Sequence, residues 1–272
     1  MTNRRLLLTS ALTLCIAASF PAYAAEPPAV KSEFEKALME GKPLFLSRYR
    51  YEYVDQDGLP EDAHAHTLVT RLGYETGVYK DFSALIEFEH LESLGTERFN
   101  DSINGKTRYP VVVDPEDTNL NRLMLTYAGL PDTKAILGRQ TIVLDNQRFV
   151  GGIAWRQNDQ TFDALSVSNT SLPDTTLYYA YANQVNRVQG THSPVGVWDD
   201  SHIHLINASY TGLPYGRLVG YSYLLDIPDS ATLSSATYGA RFEGKQPIDK
   251  TFTGLLSLEY AHQMDYANNP NN

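Results

Sequence analysis

The chain has 272 residues, a formal charge of −10, 18 Tyr and 10 Phe, and a mean hydropathy of −0.32. That acidity excludes a nucleic-acid partner held by phosphate neutralisation. The lack of a long apolar run beyond the N-terminal stretch excludes a helical membrane protein. The single cysteine, Cys15, lies within that stretch, so the processed chain carries no disulfide.

Arg4 and Arg5, the apolar run Leu6 to Leu14 and the small-residue site 22-AYA-24 make residues 1–24 a secretory signal peptide. Removing Arg4 and Arg5 takes the charge from −10 to −12. Residues 25–42 form a short periplasmic segment with one predicted helix, 32-SEFEKALMEGK-42. There Phe34, Ala37 and Leu38 share a face and Gly41 ends the helix.

From 43 to 272 the period changes to two. In 44-LFLSRYRYEYV-54, Phe45, Tyr49, Tyr51 and Tyr53 oppose Arg48, Arg50 and Glu52. In 67-TLVTRLGYETG-77, Leu68, Leu72 and Tyr74 oppose Arg71, Gly73 and Glu75. In 82-FSALIEFEH-90, Phe82, Ala84, Ile86 and Phe88 oppose Ser83, Glu87 and Glu89. Further strands are predicted near 119–128, 134–144, 160–168, 175–185, 202–210, 216–226 and 251–262. The segment 236-ATYGARFEG-244 sets Ala236, Tyr238, Ala240 and Phe242 against Thr237, Gly239, Arg241 and Glu243, for about eleven strands in all.

Short connections share a vocabulary: 129-GLPDT-133, 171-SLPDT-175 and 212-GLPYG-216, with 77-GVYKD-81 and 244-GKQPIDK-250. Long polar connections alternate with them at 55–66, 94–118, 145–159, 186–201 and 227–233. Such a meander has two chemically different ends, as outer-membrane barrels do. Tyr53, Tyr74, Tyr127, Tyr210 and Tyr260 recur near strand ends, where a ring in hydrocarbon and a hydroxyl in water suit the lipid boundary. The fold class is therefore an all-β, antiparallel, up-and-down transmembrane β-barrel in contact with outer-membrane lipids. A secreted, soluble β-sandwich that binds carbohydrate on its tyrosines is the alternative, but it does not explain the alternation of connection lengths.

The segments 48-RYRYEYVDQDG-58, 67-TLVTRLGYETG-77, 109-YPVVVDPEDTNLNRLMLTYAGLPDTKAILGRQ-140, 145-DNQRFVGGIAWRQNDQTFDAL-165 and 257-SLEYAHQMDYA-267 resemble the alginate-export family of outer-membrane porins. The resemblance covers nearly all of the chain after the signal peptide. It implies a closed barrel with a charged pore, which in the best-known member conducts an anionic polyuronate. One departure from that pattern concerns the end of the chain. The last segment, 268-NNPNN-272, follows an outward-running strand and lacks the closing aromatic read by the outer-membrane assembly machinery. The barrel is thus expected to be incomplete at the C-terminus, this chain being the N-terminal part of a longer one.

Parity assigns Arg48, Arg50, Glu52, Arg71, Glu75, Glu87, Glu89, Arg122, Arg139, Arg156, Asp163, Arg241 and Glu243 to the pore lining. Arg217 is undecided, because Val219, Tyr221 and Tyr223 share its parity. Arg139 and Gln140 cannot both point inward under strict alternation, and Gly138 is the expected site of a bulge. The glycine-rich stretch with Arg148, Trp155, Gln157 and Asn158 is a candidate constriction loop. Guanidinium groups in such a channel attract polar or anionic carbohydrate-like solutes and match a uronate carboxylate with a two-pronged fork. Alternatively, the arginines and glutamates form a balanced ladder that stiffens the wall.

No cofactor and no metal are implied. His64 with His66, and His202 with His204, lack a third ligand and read as exposed loop histidines. The run 114-DPED-117 lacks the ligand spacing of a calcium loop and reads as solvated. Ser201-His202 and Ser193 beside His192 are neighbours in sequence only, so no enzyme is expected.

Overall fold

The computed structural model describes residues 31–271; the signal peptide expected over 1–24 lies outside them. The elements in order are α1 (Glu33–Met39), β1 (Lys42–Val54), β2 (Ala63–Glu75), β3 (Phe82–Ser93), β4 (Asp117–Leu130), β5 (Thr133–Gln140) and β6 (Thr161–Asn169). They continue with β7 (Thr175–Asn186), the two-residue β8 (Val197–Trp198), β9 (His202–Leu213), β10 (Gly216–Asp226), a 3-10 turn (Pro228–Leu233), β11 (Ser235–Pro247) and β12 (Thr253–Asp265). Each long strand pairs antiparallel with the next, β8 lies beside β7, and β1 and β12 are the two edges of the sheet.

Helix α1 starts where Ser32 and Glu35 cap each other: Ser32 Oγ accepts from Glu35 N (3.2 Å) and Ser32 N donates to Glu35 Oε2 (2.7 Å). The Ser32 contacts hold the Glu35 carboxyl below the usual carboxylate range. Of the expected helix face only Ala37 is buried; Phe34 and Leu38 remain exposed. Ala37 O accepts from Gly77 N at 2.8 Å, which ties the helix to the β2–β3 turn.

The short turns explain their own sequences. Tyr79 and Phe82 exchange both backbone hydrogen bonds, at 2.8 and 3.0 Å, around Lys80 (φ 47°) and Asp81 (φ 67°). Two left-handed residues give a turn whose twist matches that of the flanking strands. In both LPD turns the aspartate takes that position, Asp132 at φ 52° and Asp174 at φ 54°, a region Asp tolerates better than most residues. Turns are also laced sideways: Ala128 N donates to Asp81 O, Thr170 N to Asp132 O and Thr211 N to Asp174 O, at 3.0, 2.8 and 2.8 Å.

The two faces of the sheet differ as the alternation requires. On one, Phe45 is 73%, Leu72 58% and Tyr260 76% exposed, whereas on the other Glu87 is 4%, Glu89 2% and Arg241 9% exposed. A water-soluble sandwich inverts that arrangement. The 141–160 connection covers the second, inner face. Its Arg148 lies 3.9 Å from Glu259 on β12, and its Ala154 carbonyl accepts from Arg48 on β1 at 3.0 Å. In a flat sheet β1 and β12 would stand ten spacings, about 48 Å, apart, but the six residue steps from Arg148 to Ala154 span about 20 Å when extended. The sheet therefore curls around the connection.

The inner face is not ionic throughout. Phe162, Ile203, Leu205, Val219, Tyr221 and Tyr223 form a buried cluster with Ile142 and Val150 of the connection. The expectation left open for β10 is settled by this: Val219, Tyr221 and Tyr223 face inward together with Arg217. Their hydroxyls are satisfied there, Tyr221 by Glu259 at 2.9 Å and Tyr223 by Asn207 at 3.1 Å.

Candidate functional site

The inner face of β1, β2, β4 and β5 carries guanidinium groups, and the 141–160 connection folds onto those of β1 and β2. Gln157 is its anchor, with no exposed surface. Gln157 Nε2 donates to Thr67 Oγ1, Thr67 O and Arg48 O at 3.0, 3.1 and 3.2 Å. Its Oε1 accepts from Arg48 Nε at 2.8 Å, and its backbone N donates to Asp114 Oδ1 at 3.0 Å. Arg48 also donates to the carbonyls of Ala154 and Arg156. It has no carboxylate partner among the described residues.

The other strand arginines are paired. Arg71 contacts Glu89, Asp159 (2.7 Å) and the Gln157 carbonyl (2.8 Å). Arg122 grips Glu87 with two hydrogen bonds of 2.9 and 2.8 Å, and Asn121 adds a third at 2.9 Å. Arg139 forks onto Asp163 at 2.7 and 2.9 Å. Arg241 meets Glu243 at 2.8 Å and Glu259 at 3.2 Å, while Arg217 meets Glu243 at 2.8 Å and Asp145 at 3.3 Å.

Trp155 sits between two cations. The Arg50 and Arg156 guanidinium carbons lie 4.7 and 4.1 Å from its ring centre, and both arginines also reach Glu52, at 2.6 and 3.2 Å. Trp155 is 60% exposed, so this cation–π group borders open space. Arg148 is exposed, 5.7 Å over Phe149. Asn158 is buried, donating to Val188 O at 3.1 Å.

Several sequence expectations need correction. Glu75 keeps the parity of Arg71 but ends β2 at the short-turn side, where it joins no ion pair among the described residues. Gly138 is not a bulge: β5 keeps register with β4 and β6 through it. Its φ of +115° breaks the side-chain alternation instead. Leu137 faces out, Arg139 meets Asp163, and Gln140 also turns inward, donating to Ala164 O (3.0 Å) and accepting from Ser166 Oγ (2.7 Å). The register shifts fall on the neighbours, opposite Glu87/Phe88 and Asp163/Ala164.

The 114–117 run is not simply solvated. Asp114 is 1% exposed, and burial pushes its carboxyl above the usual range. Asp117 takes two hydrogen bonds from Thr191, 2.6 Å from its N and 2.8 Å from its Oγ1, and so latches the 187–201 connection to β4. His64 and His66 belong to β2 rather than a loop. Ser201 Oγ donates to Trp198 O (3.3 Å), and His202 lies 4.0 Å from Asp226.

Arg187 was missed by the sequence reading. It stacks 4.2 Å over Trp198 and donates to Val195 O at 2.7 Å. Burial pushes its basicity down, and no carboxylate partners it among the described residues. Its loop carries no periodicity that could have singled it out.

No family model and no curated protein matches the chain; the alginate-export resemblance therefore has no counterpart in these comparisons. Solved structures do match. Acinetobacter baumannii OccAB3 aligns with TM-score 0.65 and 15% identity, covering 85% of this chain and 60% of that one. Pseudomonas aeruginosa OccK2, solved in complex with glucuronate, gives 0.60 and 14%, over 86% and 58%. Pseudomonas aeruginosa OpdK, solved with vanillate, gives 0.62 and 15%, over 85% and 60%. The chain thus spans about three fifths of the length of these proteins, and its fold is that of the antiparallel sheet of outer-membrane porins.

Proposed function

We propose that the chain forms the wall and constriction of an outer-membrane channel for passive diffusion of polar, anionic, carbohydrate-like solutes such as uronates. The observation that carries this reading is the arginine-bearing inner face with the 141–160 connection folded across it. Most of the arginines satisfy fixed carboxylates and hold the wall rigid. Arg48, bound only to neutral acceptors, and exposed Arg148 supply positive potential to a passing carboxylate. The glucuronate and vanillate of the two Pseudomonas complexes are both carboxylates, which supports an anionic solute class. The narrower alginate-export assignment rests on the sequence resemblance alone. Transport here involves attraction and size filtering, with no bond made or broken. The soluble carbohydrate-binding alternative is disfavoured by the outward-facing Phe45, Leu72 and Tyr260.

Refolded protein is expected to show heat-modifiable migration and to conduct in planar bilayers, with reversal potentials in a salt gradient favouring anions. Cation preference would remove the uronate reading and leave the barrel intact. A protein that stays monomeric in water without detergent would remove the barrel.

A further inference from the structure

All seven histidines of the chain lie at the long-connection end of the sheet. Six are in strands: His64 and His66 on β2, His90 on β3, His202 and His204 on β9, and His262 on β12. Each is within three residues of the strand terminus at that end. Each also shares parity with an outward residue of its strand, such as Leu72, Phe88, Ile206 or Leu258. The seventh, His192, is in the 187–201 connection, 3.4 Å from Asp117.

Tyrosines dress this collar. Tyr49 Oη bonds His66 Nδ1 at 2.7 Å, Tyr51 Oη bonds His64 Nδ1 at 2.9 Å, and Tyr179 Oη bonds His204 Nδ1 at 3.0 Å. His90 Nδ1 meets Thr118 Oγ1 at 2.7 Å. With Nδ1 occupied, the Nε2 side of each of these four rings has no protein partner among the described residues. A neutral imidazole accepting from a tyrosine at Nδ1 carries its proton on Nε2; a second proton makes both nitrogens donors and the ring cationic.

The charged and titratable neighbours sit mostly farther out. Asp62 accepts from Tyr53 beside His64 at 3.1 Å, and Asp226 lies 4.0 Å from His202, which follows Asp199 and Asp200. Glu92 stands two residues beyond His90, Tyr181 packs on His204, and Tyr238 pairs across from His262, near Asp265. Toward the sheet centre the same faces carry Leu68, Ile206 and Leu258, so the collar marks the step from hydrocarbon to polar surroundings.

We propose that this histidine–tyrosine collar binds phosphate-bearing lipid headgroups of the surrounding leaflet, and binds them more strongly as the pH falls. The proposal rests on the membrane-barrel reading above. Imidazole Nε2 groups left without a protein partner on the outward face can meet phosphates there, whereas a free solute would approach through the lumen. The outlying carboxylates oppose anionic lipids at neutral pH, and acidification offsets them by charging the rings.

The test uses the whole refolded chain in vesicles of phosphatidylcholine with or without phosphatidic acid, extracted into detergent for native mass spectrometry. Phosphatidic acid should be retained about fivefold over phosphatidylcholine at about pH 5.5 and near parity at about pH 8. The variant H64N/H66N/H202N/H204N should lose the acid preference; if it does not insert, H64N/H66N should lose about half of it. Equal retention at both pH values, or an undiminished preference in an inserted variant, overturns the proposal. Displacement of the lipid by inorganic phosphate overturns the headgroup as the source. Wild-type protein that fails to float with vesicles overturns the barrel reading itself, a separate outcome from loss of lipid preference in inserted protein.

Discussion

Replacing Gln157 by Leu isolates the force that holds the constriction segment. The side chain has no exposed surface, so water cannot replace what is lost. The substitution removes one hydrogen bond to a guanidinium and those from Nε2 to the carbonyls and hydroxyl of Arg48 and Thr67. A bond to a charged group contributes about 1.5–3 kcal/mol and a neutral one about 1 kcal/mol. Counting the two Nε2 protons once each, the segment loses roughly 3.5–5 kcal/mol of anchoring. At about 1.4 kcal/mol per decade, protection of the Gln157 amide against hydrogen exchange should fall by about two to four orders of magnitude, limited by global opening. Residues of β3 and β4 should exchange as before. A fall of less than about threefold at residue 157 would refute the anchoring argument.

Arg71→Ala leaves Glu89, 1% exposed at its side chain, without its cation. The expected cost is about 3–5 kcal/mol, read as a lower midpoint for loss of the compact gel form, with most of it recovered in R71L/E89L. Gly138→Ala sets a Cβ against the Leu123 carbonyl oxygen at φ +115° and should lower refolding yield, at a cost above about 1 kcal/mol; unchanged yield would mean the backbone there is free to shift. Arg48→Ala should weaken block of current by a uronate polymer, whereas Arg139→Ala, whose guanidinium is already occupied by Asp163, should act on stability instead. Asp114 has its carboxyl raised by burial, so its contribution to stability is full below the ordinary carboxylate pKa and is lost as pH rises through the raised value. Asp114→Asn still accepts from Gln157 N and should flatten the pH dependence of exchange at residue 157.

The strands were legible because period-two alternation and the LPD turns are local signals. The predicted segments 216–226 and 82–90 fall within β10 and β3. Where the connection lands was not legible, since Arg48 and Gln157 are 109 residues apart and nothing local encodes their meeting. The double inward turn of Arg139 and Gln140 was hidden because parity counting assumes one backbone conformation, and Gly138 adopts another. Asp114 read as solvated because 114-DPED-117 is polar; burial follows from the segment that folds over it. The sequence leaves Tyr221 and Tyr223 undecided because they share parity with Arg217; inside, Tyr221 donates to Glu259 and Tyr223 accepts from Asn207.

Net charge and local potential are separate quantities, and the fold keeps them apart. The formal charge is −10, yet the carboxylates of the inner face are mostly spent on fixed arginines: Glu87 on Arg122, Asp163 on Arg139, Glu89 and Asp159 on Arg71. A paired wall is nearly neutral to a distant ion and resists deformation. Against it, one guanidinium bound only to carbonyl and amide oxygens matters more than a count of arginines suggests, because no fixed anion cancels its field. The geometry at Arg48 follows from Gln157: an amide oxygen positions the guanidinium without neutralising it, which a glutamate at the same place would do. Gln157→Glu is therefore expected to abolish anion preference in reversal-potential measurements; its carboxylate strengthens the bond to Arg48 but puts an acceptor where Nε2 donates to the Arg48 and Thr67 carbonyls, so part of the anchoring is lost. If anion preference survived in an anchored Q157E channel, the selectivity would have to come from groups other than Arg48.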